Sequence, residues 1–203
     1  MEEAIEKINY KGKIIETFYD FNPLSPEDWR NDELFLVYDH RDFTVKVKGF
    51  DPEDIFQYFQ ENPKKVLYEG YFVFPVYAYI HTGVCLSLGR DSYPFTCRWD
   101  TSFRGFVLCK KQKGCYTSKK AYDLAEGLIE EWNQYLSGDV YGYNSEVGSC
   151  WGFYGKSGYN QMIDEAKSEI DYAEKKAVKN HIVKVKEQIK SKVPFIYRKQ
   201  FVF

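Results

Sequence analysis

The sequence predicts an α+β fold, an antiparallel sheet with two long helices from the C-terminal half packed on one side. Three observations carry that expectation. Short β-branched and aromatic runs punctuate residues 13–110, each bounded by charged or turn-forming residues. Two long stretches with apolar residues every three or four positions follow, over Ser118–Leu136 and from Gly158 onward. The strands precede these helices instead of alternating with them, which suits an antiparallel sheet better than a βαβ series.

Lys13–Tyr19 (KIIETFY) reads as a short strand, and Asn22–Pro26 as a turn punctuated by proline. Glu33–Tyr38 (ELFLVY) is a short apolar run between charged flanks, the pattern of a buried strand. Asp51–Gln60 reads as a helix. Asp51 suits its cap, Pro52 its first position, and Glu53 and Asp54 its positive end, while Ile55, Phe56 and Phe59 share one face. Tyr71–Ile80 (YFVFPVYAYI) is strongly β-forming but holds Pro75. Because proline lacks a ladder donor, an edge strand or two strand pieces are expected there. Val84–Leu88 and Gly105–Lys110 are further strands, with Gly89–Arg104 as a long polar loop between them.

In the helix over Ser118–Leu136, Tyr122, Ala125, Leu128, Ile129, Trp132 and Leu136 recur on one face, Thr117 or Ser118 caps it, and Gly138 ends it. Asp139–Asn144 and Ser149–Tyr154 form a hairpin around Glu146–Gly148. The second long helix carries Tyr159, Met162, Ile163, Ala166, Ile170, Ala173 and Ala177. It extends to about Lys190 through Val178, Ile182, Val185 and Ile189, and Pro194 stops it. Phe195–Phe203 is expected to add a last strand.

At 203 residues, with 44% hydrophobic and 29% charged residues, the chain suits a single domain over 1–203, with residues 175–203 as a basic helical extension. Aromatic residues make up 19%, with 18 Tyr, 16 Phe and 4 Trp. Tyr and Trp serve cores and contact surfaces alike, so part of that excess suits an interface. No apolar run is long enough to span a membrane, and the charged start lacks a signal-peptide core, so a cytoplasmic protein is expected. Five scattered cysteines then read as reduced thiols. Charge is divided along the chain. Residues 1–80 carry nine basic and sixteen acidic side chains (net −7), residues 81–174 ten and thirteen (−3), and residues 175–203 nine and one (+8).

Signatures of common chemistries are missing. No Gly-rich phosphate loop, HExxH or GxSxG occurs, so phosphoryl transfer, dinucleotide binding and serine hydrolysis have no support. His81 and the cysteines lack the paired-knuckle spacing by which one tight turn aims two ligands at zinc, so no metal and no cofactor is expected. A thiolate needs a base, and the base an orienting carboxylate. His81 with Cys97 or Cys150, and Asp100 as orienter, supply those parts for an alternative Cys/His-dependent hydrolase or transferase. Trp99 stands among Arg98, Asp100 and Arg104, residue types that dominate binding hot spots. The acidic front, including Asp28, Asp32 and Glu33, offers complementary charge to a basic partner. Lys175, Lys176, Lys179 and Lys184 offer nucleic acid a basic helix face, and a second copy of the chain is a further partner that the divided charge accommodates.

Several motifs occur in order: His81-Thr82-Gly83-Val84, Phe95-Thr96-Cys97-Arg98-Trp99-Asp100-Thr101-Ser102, Gly105-Phe106-Val107, Gln134–Tyr143 (QYLSGDVYGY) and Ser149–Gly155 (SCWGFYG). Together they resemble a widespread family of uncharacterised phage and phage-like proteins, over roughly residues 27–170. The sequence departs from that pattern at Thr101–Gly105 (TSFRG), where the family typically reads SGQVG, and at Arg98, where it usually has proline. The resemblance implies an accessory protein of phage or mobile DNA. The expected role is a non-enzymatic inhibitor that binds a bacterial defence protein or ribonucleoprotein, such as a CRISPR effector, in an anti-CRISPR manner.

Overall fold

A computed structural model describes residues 3–29, 32–89, 100–115, 117–194 and Tyr197. In chain order the elements are β1 (Glu6–Tyr10), β2 (Lys13–Tyr19), β3 (Leu34–His40), β4 (Phe43–Val45), α1 (Pro52–Glu61), β5 (Leu67–Tyr68) and β6 (Tyr71–Ile80). They continue with β7 (Val84–Leu88), β8 (Thr101–Lys110), α2 (Ser118–Ser137), β9 (Val140–Ser145), β10 (Ser149–Tyr154) and α3 (Gly155–Lys192). The α+β expectation is met, and the strands divide over two sheets, each carrying one of the two long helices. Within the expected 1–203 span the chain forms two compact units. One holds residues 1–18, 141–153 and 157–203, and the other holds 19–140 and 154–156.

The larger unit is built on a sheet of order β4-β3-β8-β6-β5, with β7 also on β6. Its central strands are buried on both faces. Leu36 and Tyr38 of β3 join Val107 of β8 and Ala125, Ile129 and Trp132 of α2 in one core. The intervening Phe35 and Val37 join Phe106, Leu108 and Ile55 of α1 in the other. The continuous apolar run of β3 follows from this double coverage, since a strand with one wet face would alternate instead. Trp132 is a core residue, 4% exposed, with its ring against Phe43.

Capping sets the helix bounds. The Asp51 side chain accepts a hydrogen bond from the Glu53 N–H, Thr117 accepts from the Lys120 N–H, and Gly138 closes α2 in the left-handed region (φ 73°).

Three sequence expectations are corrected. Tyr71–Ile80 is one unbroken strand, internal to the sheet, pairing β8 on one side and β5 then β7 on the other. Pro75 is tolerated because its carbonyl accepts from the Gly89 N–H, so its nitrogen faces the same side, in the gap after β5 ends. The loop expected over Gly89–Arg104 gives way at Thr101, where β8 already begins, and residues 90–99 lie outside the described residues. The long helix starts at Gly155, three residues before Gly158. Of the strand expected over Phe195–Phe203 only Tyr197 is described, its N–H bonded to the Pro194 carbonyl.

The smaller unit has sheet order β1-β2-β9-β10. Ile15, Tyr143 and Phe153 pack against Met162, Ala166 and Ile170 of α3. β1 and β2 meet at a two-residue turn, Lys11 and Gly12, both at positive φ (53° and 77°), the conformation that matches strand twist in a tight hairpin. No described helix is long and apolar enough to cross a membrane.

Candidate functional site

The α1-facing side of the larger sheet carries the site, and a β-bulge makes it. Val76 pairs with Gly105 and Tyr77 with Phe103, so Arg104 is the extra residue on β8. A bulge inserts one unpaired residue and re-aims its side chain, a device common beside functional sites. Gly105 is required at this point. A Cβ there would stand 2.2 Å from the Tyr38 ring and 2.4 Å from the Val37 carbonyl. The ring of Tyr38 crosses the strand through that gap, and its hydroxyl donates to the Ser102 carbonyl at 2.8 Å.

Arg104 lines a cavity of about 270 Å³ together with Phe103, Phe56, Asp39, Asp51 and Glu53. The Phe56 and Phe103 rings meet edge to face at 5.7 Å, forming the apolar floor. The N-terminus of α1 supplies Asp51, Pro52 and Glu53, and Ile55, fully buried, holds the helix to the sheet. A second cavity of about 560 Å³ shares Asp39, Asp51 and Pro52 as a wall and adds Lys46, Lys48 and Asp54. The two adjoin along that acidic wall, the first a groove with the aromatic floor and Arg104, the second with Lys46 and Lys48. Bulky apolar contact combined with complementary charge is the kind of surface that can fix a partner's register.

Of the residues expected to bind a partner, Arg104 lies in this groove and Asp100 lies one residue before β8. Arg98 and Trp99 lie outside the described residues, as does Cys97. Asp28, Asp32 and Glu33 are exposed but belong to the other end of β3, where Leu34 pairs Cys109, whereas Tyr38 pairs Gly105 at the groove. Asp28 closes a local turn, accepting from the Ser25 N–H at 2.7 Å. The Asp32 carbonyl accepts from the Tyr71 hydroxyl, and the Glu33 carbonyl from the Lys110 N–H.

The Cys/His set is partly assembled. His81 Nδ1 lies 3.7 Å from Asp100 Oδ2, an ion pair when the imidazole is protonated. Cys150 belongs to the smaller unit, whereas His81 and Asp100 belong to the larger. The larger unit also holds Cys85, an exposed thiol that the sequence reading weighed only as a zinc ligand and not as a nucleophile. It is the cross-strand partner of Tyr79, whose ring centre lies 6.4 Å from that of His81. Its signal was the alternation of Val84, Leu86 and Leu88, which turns the intervening Cys85 to the opposite face. Cys109 and Cys115 are buried, with sulfurs 3.4 Å apart, and burial followed by the neighbouring Cys115 pushes the Cys109 thiol up to about 12. A thiol so shifted is inert at neutral pH.

Among the described residues no group of three or more His, Cys, Asp or Glu is placed to hold a metal ion. The expected nucleic-acid lysines Lys175, Lys176, Lys179 and Lys184 all lie exposed on α3. No protein-family model matches the chain, and no curated protein or solved structure shows significant similarity to it.

Proposed function

We propose that the chain is an accessory binding protein of phage or mobile DNA that inhibits a bacterial defence complex, of the CRISPR-effector kind, without catalysis. The setting rests on the ordered motifs between His81 and Gly155 and their resemblance to phage proteins. The observation that carries a binding role is the bulge at Arg104, which sets this exposed residue beside Phe56 and Phe103 in the lining of one cavity. Arginine beside aromatic rings is a frequent energetic centre of protein interfaces. This is also the stretch, Thr101–Gly105, where the chain departs from the family pattern, which suits a surface adapted to its own partner.

The test is plaquing efficiency of a targeted phage on a host whose CRISPR system is active, with and without this protein. Wild type is expected to restore plaquing, and Arg104→Ala, at an exposed position, to abolish that rescue while leaving the unfolding midpoint unchanged. Undiminished rescue by Arg104→Ala, or no rescue by wild type against any defence system tried, counts against the reading.

A second reading, thiol chemistry, has one observation in its favour, the His81–Asp100 pair, with exposed Cys85 opposite Tyr79 on the neighbouring strand. Faster alkylation of Cys85 than of a model thiol, slowed by His81→Gln, would support it; an ordinary rate removes it.

A further inference from the structure

The apolar pattern of α3 changes face partway along the helix. Met162, Ala166 and Ile170 are buried against the small sheet, with Tyr159 and Ile163 beside them. Continued at the same spacing through Ala173 and Ala177, that stripe would arrive at Asn180 or His181, Lys184 and Gln188, all polar. The apolar residues resume instead one position after Ala177, at Val178, Ile182, Val185 and Ile189, with Val183 the one apolar residue between them off that line. At 3.6 residues per turn this second stripe lies about 120° around the helix from the first. A helix merely fraying from its sheet would keep its phase, so the second stripe is specified independently.

The change falls where the sheet ends. The β1–β2 hairpin tip is tied to α3 by Lys11, whose amine lies 2.6 Å from Asp171 and 3.3 Å from Glu174. Beyond Glu174 the helix runs eighteen residues more, to Lys192, with Val178 60%, Ile182 48% and Ile189 46% exposed.

The second stripe has the spacing of a coiled-coil seam, with steps of four, three and four residues, and it is entirely β-branched. Its arc is about 60° wide, narrower than the broad apolar face with which a helix lies on a lipid surface. Lys175, Lys179, Lys186 and Lys190 form a row along one flank of the seam, within an arc of about 60°. The other flank carries Glu174, His181 and Gln188. Lys176 and Lys184 point elsewhere, so the four lysines expected to meet nucleic acid are spread over about half the helix circumference. From Lys175 to Lys192 there are seven lysines against one glutamate, which sets two copies of this segment against each other.

We propose that Val178–Ile189 is a docking seam for an amphipathic helix of a partner protein, one with an apolar a/d stripe and Glu or Asp along the flank that meets the lysine row. The seam belongs to the smaller unit and is independent of the Arg104 groove.

The test uses the full chain and two labelled synthetic peptides, each about three heptads long with Ile and Leu at the seam positions. One has Glu on its flanks and the other Lys. Fluorescence anisotropy is expected to show binding of the Glu peptide only. Ile182→Gln with Ile189→Gln, exposed positions given good helix formers, should weaken it at least about tenfold with unchanged circular dichroism. Lys179→Glu with Lys186→Glu should transfer binding to the Lys peptide. Equal binding of both peptides, or of neither, overturns the proposal. So does a dimer in sedimentation that the Gln variant dissolves, or stronger retention on phosphatidylserine vesicles or duplex DNA than on the Glu peptide.

Discussion

Replacing Ile55 by alanine tests whether one side chain holds the wall of the Arg104 groove. Ile55 is fully buried and is the only buried residue of α1, whose first turn supplies Asp51 and Glu53 to the cavity. Removing a buried isoleucine down to Cβ costs about 2–5 kcal/mol, from lost burial and the void left behind. Because the other anchors of α1, Phe59 against the same core and Tyr58 against Tyr68, are only partly buried, most of that cost should fall on the local opening of the helix. Amide exchange across α1 then accelerates roughly 30- to 4,000-fold, at about 1.4 kcal/mol per decade. The neighbouring Phe56→Ala makes the control. Phe56 is 38% exposed and meets Phe103 at 5.7 Å, a contact worth about 0.5–1.5 kcal/mol beyond the area it covers, so its effect should stay below that of Ile55→Ala. Hydrogen-exchange mass spectrometry of peptides covering 51–61 reads both. Acceleration below about threefold for Ile55→Ala, or equal effects of the two variants, would refute the single-anchor account.

Two further outcomes follow from the titratable groups. Residue-resolved alkylation at pH 8 should label Cys85 and Cys150 readily and leave Cys109 and Cys115 unlabelled until the chain unfolds, since burial puts the Cys109 thiol near 12 and both of the latter are inaccessible; early labelling of Cys109 would contradict the packing at the end of β8. The Lys11–Asp171 contact should loosen in acid. The Lys11 hydrogen bond holds the Asp171 carboxyl below its ordinary 3.8, so the contribution is present above that value and is lost as pH falls through the depressed one. Exchange of the β1–β2 hairpin amides should show that step, and Asp171→Asn should remove it.

Elements with strong local signals were legible in advance. Asp51 and Pro52 opened α1, Thr117 and Gly138 bounded α2, and Val84–Leu88 was read as a strand with the bounds of β7. β1, β4 and β5 were not seen. The latter two have three and two residues, and strands that short exist only by virtue of partners distant in sequence. Pro75 misled for the same reason. Its penalty depends on which side of the strand its nitrogen faces, and pairing with β5, β7 and β8 decides that.

The site shows the same division. Arg104 was singled out from its residue type and neighbours, but as part of a loop, and Asp28, Asp32 and Glu33 were grouped with it because charge was the only link visible. The register of β3 against β8 separates them by the length of the pairing and brings in Asp39, Asp51 and Phe56 instead.

Taken alone, the sequence determined the α+β class, the two long helices, the caps of α1 and α2, the buried β3 and the divided charge, because each is a local or periodic property of neighbouring residues. Tertiary structure alone decided how the strands share out between two sheets, where the bulge presents Arg104, and which apolar stripe of α3 is covered. Those outcomes depend on register and on where a sheet ends, and both arise from pairing between residues far apart in the chain.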